Sequence, residues 1–586
     1  MQIGNGAGWT NPTYPRRFIL HSQQSDAMML CVVAAATCLL ALFSVSSSFR
    51  MMQKTLASTD SNLNDVLFQT TSSLKAVTDD KDSEVYSSSH STLIANLKTN
   101  IFCNRELKGD TLDAIGFDMD FTLAQYNQEF DLLAFEGSKK RLHEVLGYPK
   151  EVLDFEYNPA KFQRGLLIDK KTGNILKINR HKYVRKVYHG STLLSRDERK
   201  KTYHSSSLET IQFDDKRFVN IDTLFLMIDA MLFSHLVDWR DAQKMDENEV
   251  VDYAALYNDV RKVVDLCHRD GAIKDEVIKN PAKYIEYDPK IVPMLKRYIK
   301  GGKKIFLLTN SYWEYSDVVM NYLVHGTGEN KDIKRWHDLF NLVVVGASKP
   351  SFLTNEYLTL YRIKSDGELY NIEDTDALSK LISAPDPDME AEHLFQGGHW
   401  KDLQKLLDIP VGERILYVGD HMYSDILRSK KKLGWRTCLV IPELEHEIAV
   451  ASEHYEQSRT IREFRQLQYD LDEYIEILSQ RDQMGVEDIE IPLKEAMTKA
   501  AEIKAKIRRL DELYDFFFNN SWGQLFKTGN QESSFANQVC DFACIYTSKV
   551  SNLGKASPNR PYIPTQDYMP HEIVLTDDEE FSINPL

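Results

Sequence analysis

The sequence predicts an α/β fold: a parallel sheet interrupted by an inserted domain and followed by a helical C-terminal region. Three observations lead there. Residues 115–117 (IGF), 305–308 (IFLL) and 415–418 (ILYV) are short continuous apolar runs, the pattern of strands buried on both faces. Each run ends in a polar cluster, and ligands of such sheets gather at the carboxyl ends of the strands. Between the runs the apolar spacing is helical, as in residues 259–267 (DVRKVVDLC).

The elements follow in chain order. Residues 1–100 read as a hydrophobic targeting or anchor segment plus a linker. Within them, residues 27–45 carry no charge and come close to the roughly 20 apolar residues needed to cross a bilayer. A signal peptide is the alternative, since Ser46, Ser47 and Ser48 follow the run. Arg16 and Arg17 precede it and Arg50 and Lys54 follow, so flanking charge does not set an orientation. Residues 101–125 with 300–450 form the catalytic core. Residues 126–299 are too long for one crossover connection and predict an inserted cap covering the site. Residues 451–550 read as helical, with apolar stripes at 464–480 and 493–517 that serve either oligomerisation or mutual packing. Residues 551–586, with Pro558, Pro561, Pro564, Pro570 and an acidic stretch at 577–580, read as an extended tail.

A chain of 586 residues with a formal net charge of −16 is poorly suited to broad nucleic-acid binding, which depends on neutralising phosphates with Lys and Arg. Local cations can still hold a small anion. The seven cysteines are odd in number, scattered and without a CxxC pair, which fits reduced thiols in an intracellular protein with a cytoplasmic catalytic part. Cys540 and Cys544 are spaced to share a helix face as core packing.

The polar clusters carry the chemistry. Asp118, directly after the first run, is a carboxylate able to attack phosphorus without a separate base. Asp120, two residues on, is placed for general acid and base work. Thr309, Asn310 and Ser311 after the second run offer a hydroxyl and backbone N–H groups to a phosphoryl oxygen, although a helix N-cap alone would also use them. Lys349, in the stretch GASKP, can neutralise phosphoryl charge. Asp420 and Asp425, in GDHMYSD, supply the oxygen ligands that Mg²⁺ prefers.

In that order the four clusters resemble the haloacid-dehalogenase superfamily of phosphotransferases. The stretches GFDMDFTLAQYN (116–127), LLTNSYWEYSD (307–317), GASKPSF (346–352) and YVGDHMYSDILRSKKKLGWRTCLVIPEL (417–444) resemble the cytosolic purine 5′-nucleotidase family and its domain-containing relatives. The resemblance implies a Rossmann-like core with a cap, Mg²⁺ dependence, a phospho-aspartyl intermediate, hydrolysis of IMP-like and GMP-like nucleotides, and a homo-oligomer. Carried over by position, it makes Asp118 nucleophile and metal ligand, and Asp120 acid/base and a metal ligand through its carbonyl. Asp420 and Asp425 complete the metal site, and Lys349 is the motif lysine. Thr309, Asn310 and Ser311 hold phosphate. Phe225 stacks on the base, and Arg261, Asp265, His268 and Lys274 bind the nucleoside. Leu226 and Arg269 depart from the family pattern, as do Gln212 and Asp222 at the positions of its activator site. The alternatives are a phosphatase of another phosphomonoester, or a non-catalytic scaffold tethered to a membrane through residues 27–45.

Overall fold

The computed structural model describes residues 92–565 apart from 204–212, 214–215, 244–249, 327, 329, 365–366, 373–392 and 487. The apolar run at 27–45, Gln212 and the acidic end of the tail lie outside the described residues. Among the described residues no helix is long and apolar enough to cross a membrane.

Ten strands form the main sheet. They are β1 (Ile101–Cys103), β2 (Ala114–Phe117), β8 (Lys304–Leu308), β9 (Leu342–Val345), β10 (Leu360–Ile363), β11 (Leu369–Asn371), β12 (Leu394–Gly397), β13 (Ile415–Gly419), β14 (Arg436–Val440) and β15 (Ile545–Thr547). Their spatial order is β1-β15-β14-β13-β2-β8-β9-β12-β10-β11. The stretch from β15 to β12 is parallel, and the pairings outside it, β1 with β15, β12 with β10 and β10 with β11, are antiparallel. The three apolar runs of the sequence are therefore neighbours at the centre. Ile115 faces Ile305 on one side and Leu416 on the other.

Both faces of this centre are covered, which explains why the runs are continuous and not alternating. Ile115, Phe117, Leu307 and Val418 enter one core cluster; Ala114, Phe306, Leu308 and Tyr417 enter the other. Burying a Phe or Leu side chain fully contributes about 1.5–3 kcal/mol. Gly116 has to be glycine here, because a β-carbon on it would lie 2.1 Å from the Phe306 ring.

The long segment between β2 and β8 contains its own antiparallel sheet. Its strands are β3 (Leu167–Asp169), β4 (Asn174–Ile178), β5 (Val184–His189), β6 (Thr192–Leu193) and β7 (Phe218–Asn220), in the order β6-β5-β4-β3-β7. Helices α1 (Gln128–Glu144), α2 (Leu226–Ala242) and α3 (Tyr253–Arg269) pack on one another. Asn127 caps α1 by accepting the Glu129 N–H, and Asp252 caps α3 by accepting that of Ala255. Helix α4 (Ile291–Lys300) leads back into β8, and α5 (Trp313–His325) follows that strand.

Helices α6 (Tyr455–Gln483) and α7 (Glu490–Phe518) pack together as a hairpin. Its buried residues are few: Ile461, Leu471 and Leu478 on one side, Ala496, Ile503, Ile507 and Phe518 on the other. The chain beyond differs from the helical reading. β15 joins the main sheet between β1 and β14, with Ile545 opposite both Cys103 and Cys438. Three residues are too short a strand for its periodicity to stand out. The helix Ser534–Phe542 ends before Cys544, so Cys540 is exposed while Cys544 is buried, and the two do not share a helix face. The start of the tail is a tight 3₁₀ turn (Val550–Lys555). After it, Pro561–Tyr562 pairs with Leu107–Lys108.

Candidate active site

The carboxyl ends of β2, β8 and β13 bring the predicted clusters together. The first polar residues after β2 and β8 are still tied to the sheet: Asp118 N–H donates to Val418 O at 2.9 Å, and Thr309 N–H to Val344 O at 3.0 Å. Lys349, beyond β9, reaches across. Its Nζ lies 2.9 Å from Asp118 Oδ2 and 2.9 Å from Asp425 Oδ1, and donates to the Tyr417 hydroxyl at 2.8 Å. The Tyr417 hydroxyl in turn donates to Leu308 O at 2.9 Å. Asn310 clasps the backbone of Lys349, accepting its N–H at 2.6 Å and donating to its carbonyl at 3.1 Å. The N-cap alternative for these residues does not hold, since α5 starts after Tyr312 without a side-chain cap.

Asp120 is held differently. The Tyr126 hydroxyl donates to Oδ1 at 2.6 Å, while Ser311 and Thr309 donate to Oδ2 at 2.9 and 3.5 Å. Phe121, next in sequence, adopts a left-handed conformation (φ 52°), as does Ser348 beside Lys349 (φ 57°). Such backbone is costly for non-glycine residues and concentrates at working sites.

Asp118, Asp420 and Asp425 form the one group of acids in the described residues whose ligand atoms lie within 4.8 Å of one another, and all three are buried. The carboxylate of Asp120 is not part of that group. Asp425 sits in a π-helical turn (Met422–Leu427), a wide turn often found at functional sites. Burial pushes the Asp118 carboxyl well above the carboxylate range; Lys349 opposes this and the neighbouring acids add to it. Burial and then Asp425 raise Asp420 to about 7. The Lys349 ammonium loses from burial, but Asp118 and Asp425 outweigh that and keep it charged. Raised in this way, Asp118 and Asp420 hold their charge in full at neutral pH only with a further cation beside them: fully ionised, the three carboxylates against one ammonium would leave two negative charges over, the charge of one divalent ion. An all-oxygen donor set of this kind fits Mg²⁺.

The inserted segment contributes contacts that the sequence did not indicate. Arg164, wholly buried, donates to the Asp420 carbonyl at 3.0 Å and pairs with Glu443 at 2.6 Å. Thr223 donates to Asp420 Oδ2 at 3.3 Å, and Asp222 accepts the Tyr423 N–H at 3.1 Å. Phe225 precedes α2 and lies edge-on to Phe121, with ring centroids 4.7 Å apart, and to His268 at 5.8 Å. Burial, then the cations Lys274 and Arg261, push His268 down to about 4. Lys274 lies over the rings of Tyr315 and Tyr312, at 5.3 and 6.0 Å. Phe225 and Lys274 thus adjoin the segments that follow β2 and β8, and His268 lies behind Phe225. Arg261 is committed elsewhere: its guanidinium donates to buried Asp229 at 2.7 Å and to Asp265. Tyr126, Tyr315, Tyr417, Arg164, Thr223 and Asp229 carry no signal of their own in the sequence. Tyr126, Tyr315 and Tyr417 do stand inside the quoted stretches 116–127, 307–317 and 417–444, whereas Arg164, Thr223 and Asp229 stand in none.

An acid beside a fixed ammonium, with further acids spaced for one cation, is the equipment of phosphoryl transfer. Comparison with known proteins narrows the class. The chain belongs to the 5′ nucleotidase family, whose profile matches residues 101–574, and is accordingly a phosphoric monoester hydrolase. It is 26% identical over 480 residues to a 5′-nucleotidase domain-containing protein of Dictyostelium discoideum, covering 81% of this chain and 75% of that one. Among solved structures, CbbY from Rhodobacter sphaeroides in complex with phosphate aligns at 13% identity over 56% of this chain and 86% of its own, with a TM-score of 0.19. An archaeal beta-phosphoglucomutase from a hyper-thermophilic Pyrococcus species aligns at 12% identity over the same shares, with a TM-score of 0.24. At scores this low, the fold rests on the strand order described above.

Proposed function

We propose that the protein hydrolyses nucleoside 5′-monophosphates of the 6-oxopurine kind, such as IMP and GMP, with Asp118 as nucleophile and Asp120 as general acid and base. The observation that supports this best is the buried triangle of Asp118, Lys349 and Asp425 with Asp420 beside it. Lys349 fixes the attacking carboxylate and offsets charge on the phosphoryl group. An Asp118–phosphorus bond forms as the ester bond to the nucleoside oxygen breaks, and that oxygen takes the proton of Asp120. Asp120 then takes a proton from the water that cleaves the acyl phosphate. Thr309, Asn310 and Ser311 line the end of β8 where phosphoryl oxygens would sit.

Mg²⁺ would be held by Asp118, Asp420 and Asp425 with the Asp120 carbonyl. Bound there, it supplies charge neutralisation for the phosphoryl oxygens and for the acids themselves. Residues 126–299 are read as the cap, with Phe225, His268 and Lys274 as its wall toward the nucleoside and Arg261 and Asp265 behind them. The same chemistry on a different phosphomonoester is a second reading, favoured by the commitment of Arg261 to Asp229 and Asp265.

Phosphate release measured over a panel of nucleotides and sugar phosphates, with and without Mg²⁺, tests this. The proposal expects the highest kcat/KM on 6-oxopurine nucleotides and loss of turnover on chelation. A preference for sugar phosphates would replace the substrate, and no release from any ester with Mg²⁺ present would sink the reading.

A further inference from the structure

Asp120 is cradled by hydroxyl groups alone; among the described residues no ion pair reaches it, whereas Asp118 and Asp425 both touch Lys349. The cradle extends beyond its first member. The Tyr126 and Tyr315 hydroxyls are 2.9 Å apart. Since the Tyr126 hydroxyl donates its hydrogen bond to Asp120, the contact between the phenols runs from Tyr315 to Tyr126, and the two form a chain of donors that ends on the carboxyl group. The two phenols come from different parts of the chain. Tyr126 lies at the root of the inserted segment, where Gln125–Tyr126 pairs with Ile285–Glu286. Tyr315 lies in the first turn of α5, just beyond the Thr309–Ser311 cluster. Both are buried, at 8% and 5% exposure. The Tyr126 ring is stacked on Phe130 at 4.2 Å and edge-on to Phe121 at 5.1 Å, so it cannot swing away.

We propose that Tyr126, steadied by Tyr315, is a positioning residue that aims the carboxyl of Asp120 at the leaving oxygen. The inference rests on the reading of Asp120 as general acid. With Oδ1 fixed by Tyr126, the carboxyl has one orientation about its Cβ–Cγ bond. Hydroxyls suit the task better than an ammonium, because a hydroxyl donates to a carboxylate and can turn to accept from a carboxylic acid. In the step itself, the Asp120 proton passes to the leaving oxygen as the ester bond breaks and the Asp118–phosphorus bond forms. Tyr126 keeps its own proton throughout.

A role in aiming a general acid has a signature that packing lacks: it matters in proportion to how much the leaving group needs a proton. The test compares kcat/KM of wild type, Tyr126→Phe and Tyr315→Phe, in the full chain with Mg²⁺, on a nucleoside monophosphate, phenyl phosphate and p-nitrophenyl phosphate. Because kcat/KM covers only the steps through ester cleavage, the later hydrolysis does not enter. Tyr126→Phe should lose about 10- to 100-fold on the nucleoside ester, whose alkoxide is a poor leaving group, shrinking to within about threefold on p-nitrophenyl phosphate. Tyr315→Phe should show the same gradient with a smaller slope, and it decides alone if Tyr126→Phe does not fold. Equal losses on all three esters, or no loss on any, would overturn the proposal. Asp120→Asn run alongside separates the failures. If it too lacks the gradient, the general-acid reading falls and the positioning role with it; if it alone shows the gradient, only the tyrosines are misassigned.

Discussion

Gly419 ends β13 one residue before Asp420, and a β-carbon placed there would lie 2.5 Å from Asp425 Oδ2, 2.6 Å from its Cβ and 2.7 Å from its Cγ. Ordinary van der Waals contact starts about 0.7–0.9 Å further out, so Gly419→Ala forces Asp425 to retreat by nearly that much. Asp425 has no solvent to retreat into, because it is fully buried and its Oδ1 sits 2.9 Å from Lys349. Overpacking of this kind costs about 1–3 kcal/mol, a part of the roughly 5–15 kcal/mol that holds a typical domain folded. The catalytic cost should be far larger. Misplacing a working group by about 1 Å lowers rates on the order of a hundredfold, and disturbing a metal's supporting acids weakens binding by about 10- to 100-fold. Gly419→Ala should therefore unfold cooperatively a few degrees below wild type while needing much more Mg²⁺ and turning over slowly at saturation. Thermal unfolding and a Mg²⁺ titration of phosphate release measure the two effects separately. If the Mg²⁺ curve and kcat both stay within about twofold of wild type, Asp425 does not serve the cation site and the argument from its position is wrong.

Three further outcomes are expected. His268→Ala should raise KM for IMP or GMP with kcat nearly unchanged and little effect on p-nitrophenyl phosphate, since loss of uniform binding moves KM alone; equal slowing of both substrates would make His268 structural. His268 also has a pH signature. Its folded-state value is depressed to about 4 against an ordinary 6.5, so its neutral form contributes stability that is present above pH 6.5 and is lost as pH falls from 6.5 toward 4. Unfolding midpoints at pH 7.5 and 5 should accordingly drop more in wild type than in His268→Gln, and equal drops would count against the shift. Finally, the uncharged run at residues 27–45 predicts that the full chain fractionates with membranes or an organelle while a chain lacking it is recovered in the soluble fraction. Recovery of both in the cytosolic fraction would remove that expectation.

What could be read from the sequence was local. Asp118, Thr309 and Asp420 each follow a short apolar run, and the rule that ligands collect at strand ends placed them together before any register was known, with Lys349 added by the family resemblance. Asp425 came with Asp420 because four residues separate them. The residues that escaped notice act across long sequence distances. Tyr126 and Tyr315 meet 189 positions apart, and Arg164 reaches Asp420 over 256. The two tyrosines stand inside quoted motifs and Arg164 in none, but nothing in the sequence links either pair, since each partner alone resembles ordinary core packing. Arg261 shows the same limit from another side. Its helical spacing with Asp265 and His268 was visible, but buried Asp229, which takes its guanidinium, sits on α2 with nothing in the sequence to link the two. The strand β15 was hidden because three residues amid helix-like composition are supported only by their neighbours β1 and β14.

The central claim is that the Asp118 carboxylate bonds to phosphorus. Rapid acid quench of the enzyme turning over IMP with Mg²⁺, followed by peptide mass spectrometry, tests it most directly. A hydroxylamine-labile phosphoryl adduct should appear on the peptide containing Asp118 and be missing from Asp118→Asn, which should also release no phosphate. An adduct on another residue, or Asp118→Asn releasing phosphate at a rate within a few-fold of wild type, would contradict it.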